Sequence, residues 1–469
     1  MLKAKLNEER EMAVAMALKE SDLISLEERR KHKVAIVGCG RIGLATACLF
    51  SEANFEVTCF NPDPYLVKQI NEGISVFDER GLDKMLKNNL MNGRLKATTD
   101  PKDAVSTSDI ILLTAEIPVD GKKRPIYSNL EAICKDVGLN LQPGSLIIVQ
   151  STVAPSITES LIIETLEKSS GLEAGVDFGL AYSPVKAPIG MAIEFLREKA
   201  RIIAAIDEQS MRAAKALLKI VTKGELVEVS NIKTAEAAVL FGDIYQDVNM
   251  ALSNELASFC EKSGIDYIEV WKAANRQPDC HLYPPGLEGG RTAETPYLLI
   301  AEAENIGIKL RITALARKTN DEASKQAYNL IKDAIHSCEK TVKRSKVAVL
   351  GVSCRPNVKE PNGSQVLELV RLLRRRGVRI SVYDPFFTYK ELSQLGYPAE
   401  KTLGKTLERA DCLLIAVGHE RFKRLSLGRI KAMMKKPPII VDLAHIIDPA
   451  EAEREGFIYR GLGRGVWSR

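Results

Sequence analysis

Residues 33–43 read Lys-Val-Ala-Ile-Val-Gly-Cys-Gly-Arg-Ile-Gly, and this stretch decides the fold. The apolar run Val34-Ala35-Ile36-Val37 has the length and composition of a buried strand, and it stops at Gly38. Leu44 to Ser51 continues as a helix. Between them Gly38, Gly40 and Gly43 form G-x-G-x-x-G in the strand-to-helix context that gives the pattern meaning. Gly38 allows the tight turn, Gly40 lets the backbone approach a pyrophosphate, and Gly43 lets helix and strand pack closely. The helix N-terminus, from Arg41 and Ile42 onward, offers free N–H groups and a positive dipole end to phosphates. The stretch reads as a dinucleotide site.

Outward from it, short apolar runs alternate with helical patterns as far as about Lys223. Strands are expected at Val34–Val37, Glu56–Phe60, Ile110–Thr114, Leu146–Ser151, Gly179–Tyr182 and Arg201–Ala205. Helices are expected at Pro64–Asn71, Ile126–Asp136, Ile157–Lys168 and Glu208–Ile220. Such alternation predicts a parallel, doubly wound sheet. From about Glu225 to Thr341 the pattern turns helical, with one long helix over Thr234–Ser263 and a Gly- and Pro-rich loop over Asp279–Pro296. A second αβ pattern follows, with strands at Val347–Gly351, Val378–Tyr383, Cys412–Val417 and Ile439–Leu443 and a helix at Val366–Arg376. The fold class is therefore α/β, with two Rossmann-like doubly wound domains joined by a central helical domain with a long spine helix. The expected division is a charged helical extension at 1–32, then 33–224, 225–341 and 342–469. The second αβ domain lacks G-x-G-x-x-G and need not bind a dinucleotide.

Composition narrows the class. The 469 residues are 45% apolar and 27% charged, with a net charge of +5, ordinary for a globular protein. No apolar run has the ~18–20 residues of a membrane span, and no signal-peptide core opens the chain. The nine cysteines lack C-x-x-C spacing, so neither a metal site nor a disulfide framework is expected. A cytoplasmic protein with no nucleic-acid or membrane partner is the expectation. Two basic runs, Lys340–Lys346 and Arg374–Arg376, read as solvated helix faces or partner contacts.

Nine segments, in chain order, carry a family resemblance. They are KVAIVGCGRIGLATA, SDIILLTAEIPVDGK, IIVQSTVAPSITE, AYSPVKAPIG, FGDIYQDVNMALSNELASFCEKSGID, PPGLEGGRTAETPYLL, KVAVLGVSCRPN, VRISVYDPF and GFIYRGLGRG. From Lys33 to Gly465 the chain resembles the UDP-glucose/GDP-mannose dehydrogenases, that is, the nucleotide-sugar dehydrogenases of polysaccharide biosynthesis. The resemblance implies an N-terminal NAD domain, a central domain that dimerises through its long helix, and a C-terminal domain that holds the nucleotide of the sugar. Expected partners are therefore a nucleotide sugar or derivative and a second copy of the chain, as a homodimer. The resemblance also implies oxidation of a sugar primary alcohol to a carboxylate in two NAD-dependent steps, through a covalent cysteine.

The residues that would do this work depart from the family pattern. The usual Cys position is Thr292, after Gly289-Gly290-Arg291. The usual Lys position is Val239, and Asp243 stands where the family has Asn. Val185 replaces the glutamate after Ser-Pro, and Asn362 replaces an arginine of the C-terminal domain. Asp442-Leu443-Ala444-His445 stands for Asp-Gly-Arg-Asn. Asp243 remains the one candidate proton acceptor, and Cys280-His281 is a second, weaker pair. For the cofactor, Asn61 or Asp63 would meet the adenine ribose, and Thr152 would lie beside the nicotinamide. NAD is expected, with NADP left open because Asn61 lacks the charge that repels a 2′-phosphate. Two readings stay open: an NAD-binding oxidoreductase with altered chemistry, and a catalytically inactive descendant acting through a nucleotide or a partner.

Overall fold

The computed structural model describes residues 20–287, 294–361 and 364–467. The backbone forms two compact units. The first comprises 1–242 and 297–308, the second 243–296 and 309–469. Of the expected extension, residues 1–19 lie outside the described residues, and the remainder holds only the turn Glu20–Leu23 and the short helix Leu26–Arg29.

The first unit is built on eight strands: β1 (Lys33–Val37), β2 (Glu56–Phe60), β3 (Leu95–Thr98), β4 (Ile110–Leu113), β5 (Leu146–Val149), β6 (Gly179–Tyr182), β7 (Arg201–Ala205) and β8 (Leu226–Glu228). Their order is β3-β2-β1-β4-β5-β6-β7-β8, so the chain reverses direction across the sheet between β1 and β4. Ligands of open α/β sheets sit at such a switch point. The strands are continuous apolar runs because both faces are covered. Val34 and Ile36 enter one buried cluster, Ala35 and Val37 the other. One detail corrects the expected parallel sheet: β7 pairs antiparallel to β6. The connecting segment, with the seven-residue helix Ala192–Glu198, stays at the carboxyl end of β6 instead of crossing back. β3 and β8 were not expected; with four and three residues they are too short to show a period.

The second unit carries β9 (Lys346–Leu350), β10 (Arg379–Tyr383), β11 (Cys412–Ile415), β12 (Ile439–Asp442) and β13 (Ile458–Gly461). They form an all-parallel sheet ordered β10-β9-β11-β12-β13, with its switch point between β9 and β11. Val347 and Val349 pack on one face, Ala348 and Leu350 on the other.

Four helices matter below: α1 (Arg41–Glu52), α2 (Ile232–Ser263), α3 (Thr295–Asn305) and α4 (Val366–Arg375). α3 takes the last two residues of the segment expected to be loop. α2 has 32 residues, about 48 Å at the α-helical rise. It starts in the first unit and ends in the second.

Candidate functional site

The carboxyl end of β1 builds the first site. Gly38 has φ of 91°, a left-handed conformation that suits glycine, and its backbone presses on the end of β4. A Cβ there would meet Ala115 N at 3.1 Å. A Cβ on Gly43 would meet Gly38 O and Thr114 Oγ1, each at 2.6 Å, so only glycine lets α1 start this close to the strand. Gly40 differs. A Cβ there would find nothing nearer than 4.0 Å, which leaves open space beside the backbone. Gly40 is also the N-cap of α1 and has no side chain to satisfy the first turn. Leu44 N–H returns to Gly40 O at 2.9 Å. The N–H groups of Arg41, Ile42 and Gly43 are thus left for a ligand. Open space and unsatisfied donors at a helix N-terminus fit a diphosphate.

The side chains around this cradle are arranged less simply. Arg41 turns away from it. Its guanidinium pairs with Glu79 at 2.8 Å and donates to Ala187 O at 2.7 Å. Glu79, almost fully buried, also accepts from Gly190 N–H and Ala192 N–H at 2.9 and 2.7 Å. The pair therefore straps the segment after β6 to the glycine loop, and Arg41 contributes to the cradle through its backbone. Sequence reasoning missed Glu79, whose only signal is an acidic residue ahead of a helix. Glu116 is exposed, and its carboxylate oxygen lies at the 4.0 Å limit noted for Gly40, an acidic neighbour for a phosphate. Asn61 accepts from Asp63 N–H through Oδ1 at 2.9 Å, which keeps its amide N–H₂ as a donor. Asp63 is spent as a helix N-cap, accepting from Tyr65 N–H at 2.9 Å. Thr152 is half-buried in the turn after β5.

The residues expected to carry chemistry have these surroundings. Val185 packs against the core of the first sheet, an aliphatic contact where an acid was sought. Val239 is half-buried on α2, and Asp243 is buried one turn further along. Thr292 and Asn362 lie outside the described residues, as do Glu288 and Arg291. Cys280 donates its thiol to Asn275 Oδ1 at 3.5 Å, and the carbonyl of His281 accepts from Asn249. Among the described residues no hydrogen bond joins the Cys280 thiol to the His281 ring. Glu236, also unanticipated, sits on α2 and accepts from Ser156 N–H and Thr158 N–H at 2.7 and 2.9 Å. Burial pushes its carboxyl up to about 6 despite those bonds.

A cavity of about 200 Å³ opens within the second unit, at the carboxyl ends of β9, β11 and β12. Cys354, Gly418, Lys423, His445 and the Pro284–Leu287 segment line it. Asp442 shapes one wall by accepting from Ala444 N–H and Ile447 N–H at 3.0 and 2.8 Å. Burial raises its carboxyl to about 6. His445 holds a left-handed φ of 55° and donates Nε2–H to Pro285 O at 3.2 Å. Its Nδ1 is buried without a partner. Burial, with Arg464 nearby, lowers its imidazolium to about 4.

With both sites placed, similarity to known proteins becomes informative. A UDP-N-acetyl-D-mannosamine dehydrogenase of Pyrococcus horikoshii is 30% identical over 436 residues, 92% of this chain and 99% of the relative. This chain belongs to the UDP-glucose/GDP-mannose dehydrogenase family. Residues 32–222 match the family's NAD binding domain, 233–322 its central domain and 348–449 its UDP binding domain. The solved structure of the Pyrococcus horikoshii UDP-D-ManNAc dehydrogenase is 29% identical and aligns with a TM-score of 0.84, covering 92% of this chain and all (100%) of that one. A Methanosarcina mazei NDP-N-acetyl-D-galactosaminuronic acid dehydrogenase aligns at 0.80 with 28% identity, covering 96% of this chain and 99% of its own. The glycine cradle thus lies in the NAD binding domain of a nucleotide-sugar dehydrogenase family member. The cavity at β9, β11 and β12 lies in, or packs against, the UDP binding domain.

Proposed function

We propose that this protein binds NAD at Gly38, Gly40 and Gly43 and a UDP-linked N-acetylhexosamine in the second unit, as a homodimer. The observation that carries the cofactor reading is the open, donor-lined space at Gly40. When bound, NAD supplies a hydride acceptor for an alcohol carbon. The backbone N–H groups of Arg41, Ile42 and Gly43 would hold its diphosphate, Asn61 its adenine ribose, and Thr152 would flank the nicotinamide. The substrate class rests on the mannosamine- and galactosaminuronate-named relatives. The homodimer is supported by one stripe of α2, where Phe241, Tyr245, Leu252, Leu256 and Phe259 are 36–61% exposed at spacings that share a helix face. The division at 33–224, 225–341 and 342–469 is supported by the order of the three matching family domains, and 1–32 stands ahead of them as an extension.

The chemistry is proposed to differ from the usual four-electron oxidation. Without a cysteine at Thr292 there is no thiolate to trap an aldehyde. Val239 and Val185 offer neither an oxyanion donor nor an acid. A single two-electron step needs only a group that takes the hydroxyl proton, and Asp243 is the candidate. NADH absorbance with UDP-N-acetylmannosamine and related nucleotide sugars tests this. One NADH per sugar, lost in Asp243→Ala, supports the proposal. Two NADH per sugar overturns the altered chemistry, and NAD binding without turnover favours the inactive descendant.

A further inference from the structure

The sequence shows two basic runs separated by 27 residues, and the fold brings them together. Arg344 N–H donates to Gly377 O at 2.9 Å, and Arg379 returns two bonds to Arg344 O at 3.2 and 3.0 Å. Both runs lie at the amino-terminal end of the second sheet, the end opposite the cavity. The strand starts there are level: Arg379 pairs with Lys346, Cys412 with Val347 and Ile439 with Cys412. Four level strands set their leading turns along an edge of roughly 14 Å.

The turns into β10 and β12 carry cations and no acid, at Arg374–Arg379 and Lys431–Lys436, and the turn into β9 carries the run Lys340–Lys346 after one exposed acid, Glu339. Lys340 and Lys435 are taken up by Asp411 at 3.4 and 3.1 Å. Lys343, Arg344, Arg374, Arg375, Arg379 and Lys436 are exposed, and none has an ion pair with a carboxylate among the described residues. The turn into β11 mixes signs, with Glu408 beside Arg409. No large apolar side chain is exposed in these turns among the described residues.

We infer that this edge is a docking surface for an anionic lipid membrane, held by charge without insertion. Protein interfaces centre on desolvated aromatic and arginine anchors packed in apolar surroundings, and among the described residues no large aromatic or aliphatic side chain is exposed here to enclose the arginines. Single-strand binding uses stacking rings, and base-specific duplex binding uses an element that enters a groove. The edge offers none of these. A lipid surface needs only level cations within a Debye length of its headgroups. No helix among the described residues is long and apolar enough to cross a membrane, and surface binding of this kind requires none. The expectation of no membrane partner rested on the lack of a span, which leaves surface docking open.

Co-sedimentation of the full chain with vesicles tests the inference. Phosphatidylcholine vesicles containing about 30% phosphatidylglycerol should pellet the protein at low salt and release it above about 0.5 M salt, while pure phosphatidylcholine should not. Each cation near the surface is worth roughly fivefold in affinity. Joint reversal of Arg344, Arg374, Arg375 and Lys436 to Glu should therefore weaken binding by more than about 100-fold. If that variant fails to fold, the milder set Arg374→Gln, Arg375→Gln and Lys436→Gln, with an unchanged melting temperature, should still weaken it at least about tenfold. Equal pelleting with neutral and anionic vesicles, or unchanged binding by the folded variant, overturns the inference. So does tighter binding to a duplex oligonucleotide or to polyglutamate than to anionic vesicles.

Discussion

The ends of β1 and β9 begin alike and finish differently. Each strand stops at a left-handed glycine, Gly38 with φ 91° and Gly351 with φ 89°. Each glycine donates to the last carbonyl of the neighbouring strand at 3.0 Å, Gly38 to Phe60 and Gly351 to Tyr383. Each is pressed against the strand across the switch point, Gly38 on Ala115 and Gly351 on Val417. After Gly38 the helix starts at Arg41, so its bare N-terminus faces the turn. After Gly351 a loop intervenes before Val366, whose N–H is capped by Ser364 Oγ at 3.3 Å. That loop is held by Ser353 Oγ on Val358 O, by Cys354 N–H on Glu360 O, and by Asn357 N–H on His419 Nδ1. The shared glycine closes a turn. What makes a phosphate cradle is the distance from that glycine to the helix.

The strongest way to break the comparison is to fill each turn. Gly43→Ala places a Cβ against Gly38 O, and Gly351→Ala places one 2.6 Å from Val417 Cβ in a conformation that disfavours it. Each should cost about 3 kcal/mol, read as lost amide-exchange protection in its own sheet. Only Gly43→Ala should also abolish NAD binding. If Gly351→Ala weakens NAD binding equally, the two ends are not independent.

Next in size is the acid response of the second unit. The His445 imidazole is neutral in the fold, with a pKa lowered from 6.5 to about 4. The folded state therefore binds this proton less well than the unfolded chain. The His445 contribution should be full above pH 6.5 and fall as pH drops toward 4, by about 2 kcal/mol after allowance for partial exposure, against the opposite contribution of the raised Asp442 carboxyl. His445→Asn should flatten that slope in acid unfolding measurements. An unchanged slope would show that the ring is solvated.

Gly40→Ala sharpens the comparison by separating binding from folding. The added methyl meets protein atoms no closer than 4.0 Å, at Glu116 and Gly38 O, so the melting temperature should change little. The methyl does occupy the diphosphate's approach, and NAD affinity by calorimetry should fall about tenfold, or about 1.4 kcal/mol. A fall in melting temperature with full affinity would place the cofactor elsewhere.

The smallest effect belongs to Glu236, whose carboxyl rises from 4.5 to about 6. A raised carboxyl binds its proton better in the fold. Its contribution is present below pH 4.5 and lost as pH rises through 6, by about 1 kcal/mol. Glu236→Gln should remove that decline in a pH series of urea midpoints.

The strands of both sheets were legible wherever an apolar run of four or five residues ended in glycine or a turn, as at Val34–Val37 and Val347–Leu350. Their burial on both faces leaves a continuous signal. β3, β8 and β13 were not legible, because three or four residues at a sheet's side carry no period. The antiparallel turn into β7 was hidden too, since Arg201–Ala205 reads the same in either direction. Among site residues, the three glycines were legible from spacing alone. Glu79 and Glu236 were not, because a single carboxylate has no pattern until its backbone donors are in place.

By itself the sequence determined the two αβ patterns, the long helix and the glycine spacing, because periodicity and turn chemistry are local. It also set Val185, Val239 and Thr292 where the resemblance expects an acid, a lysine and a cysteine, which is the basis of the proposed change in chemistry. Tertiary structure alone decided that Arg41 serves Glu79 instead of a phosphate, that His445 is held neutral beside a cavity, and that two distant basic runs share one edge. Each of these depends on which strand ends lie side by side. That is set by sheet order and register, which no local stretch of chain contains.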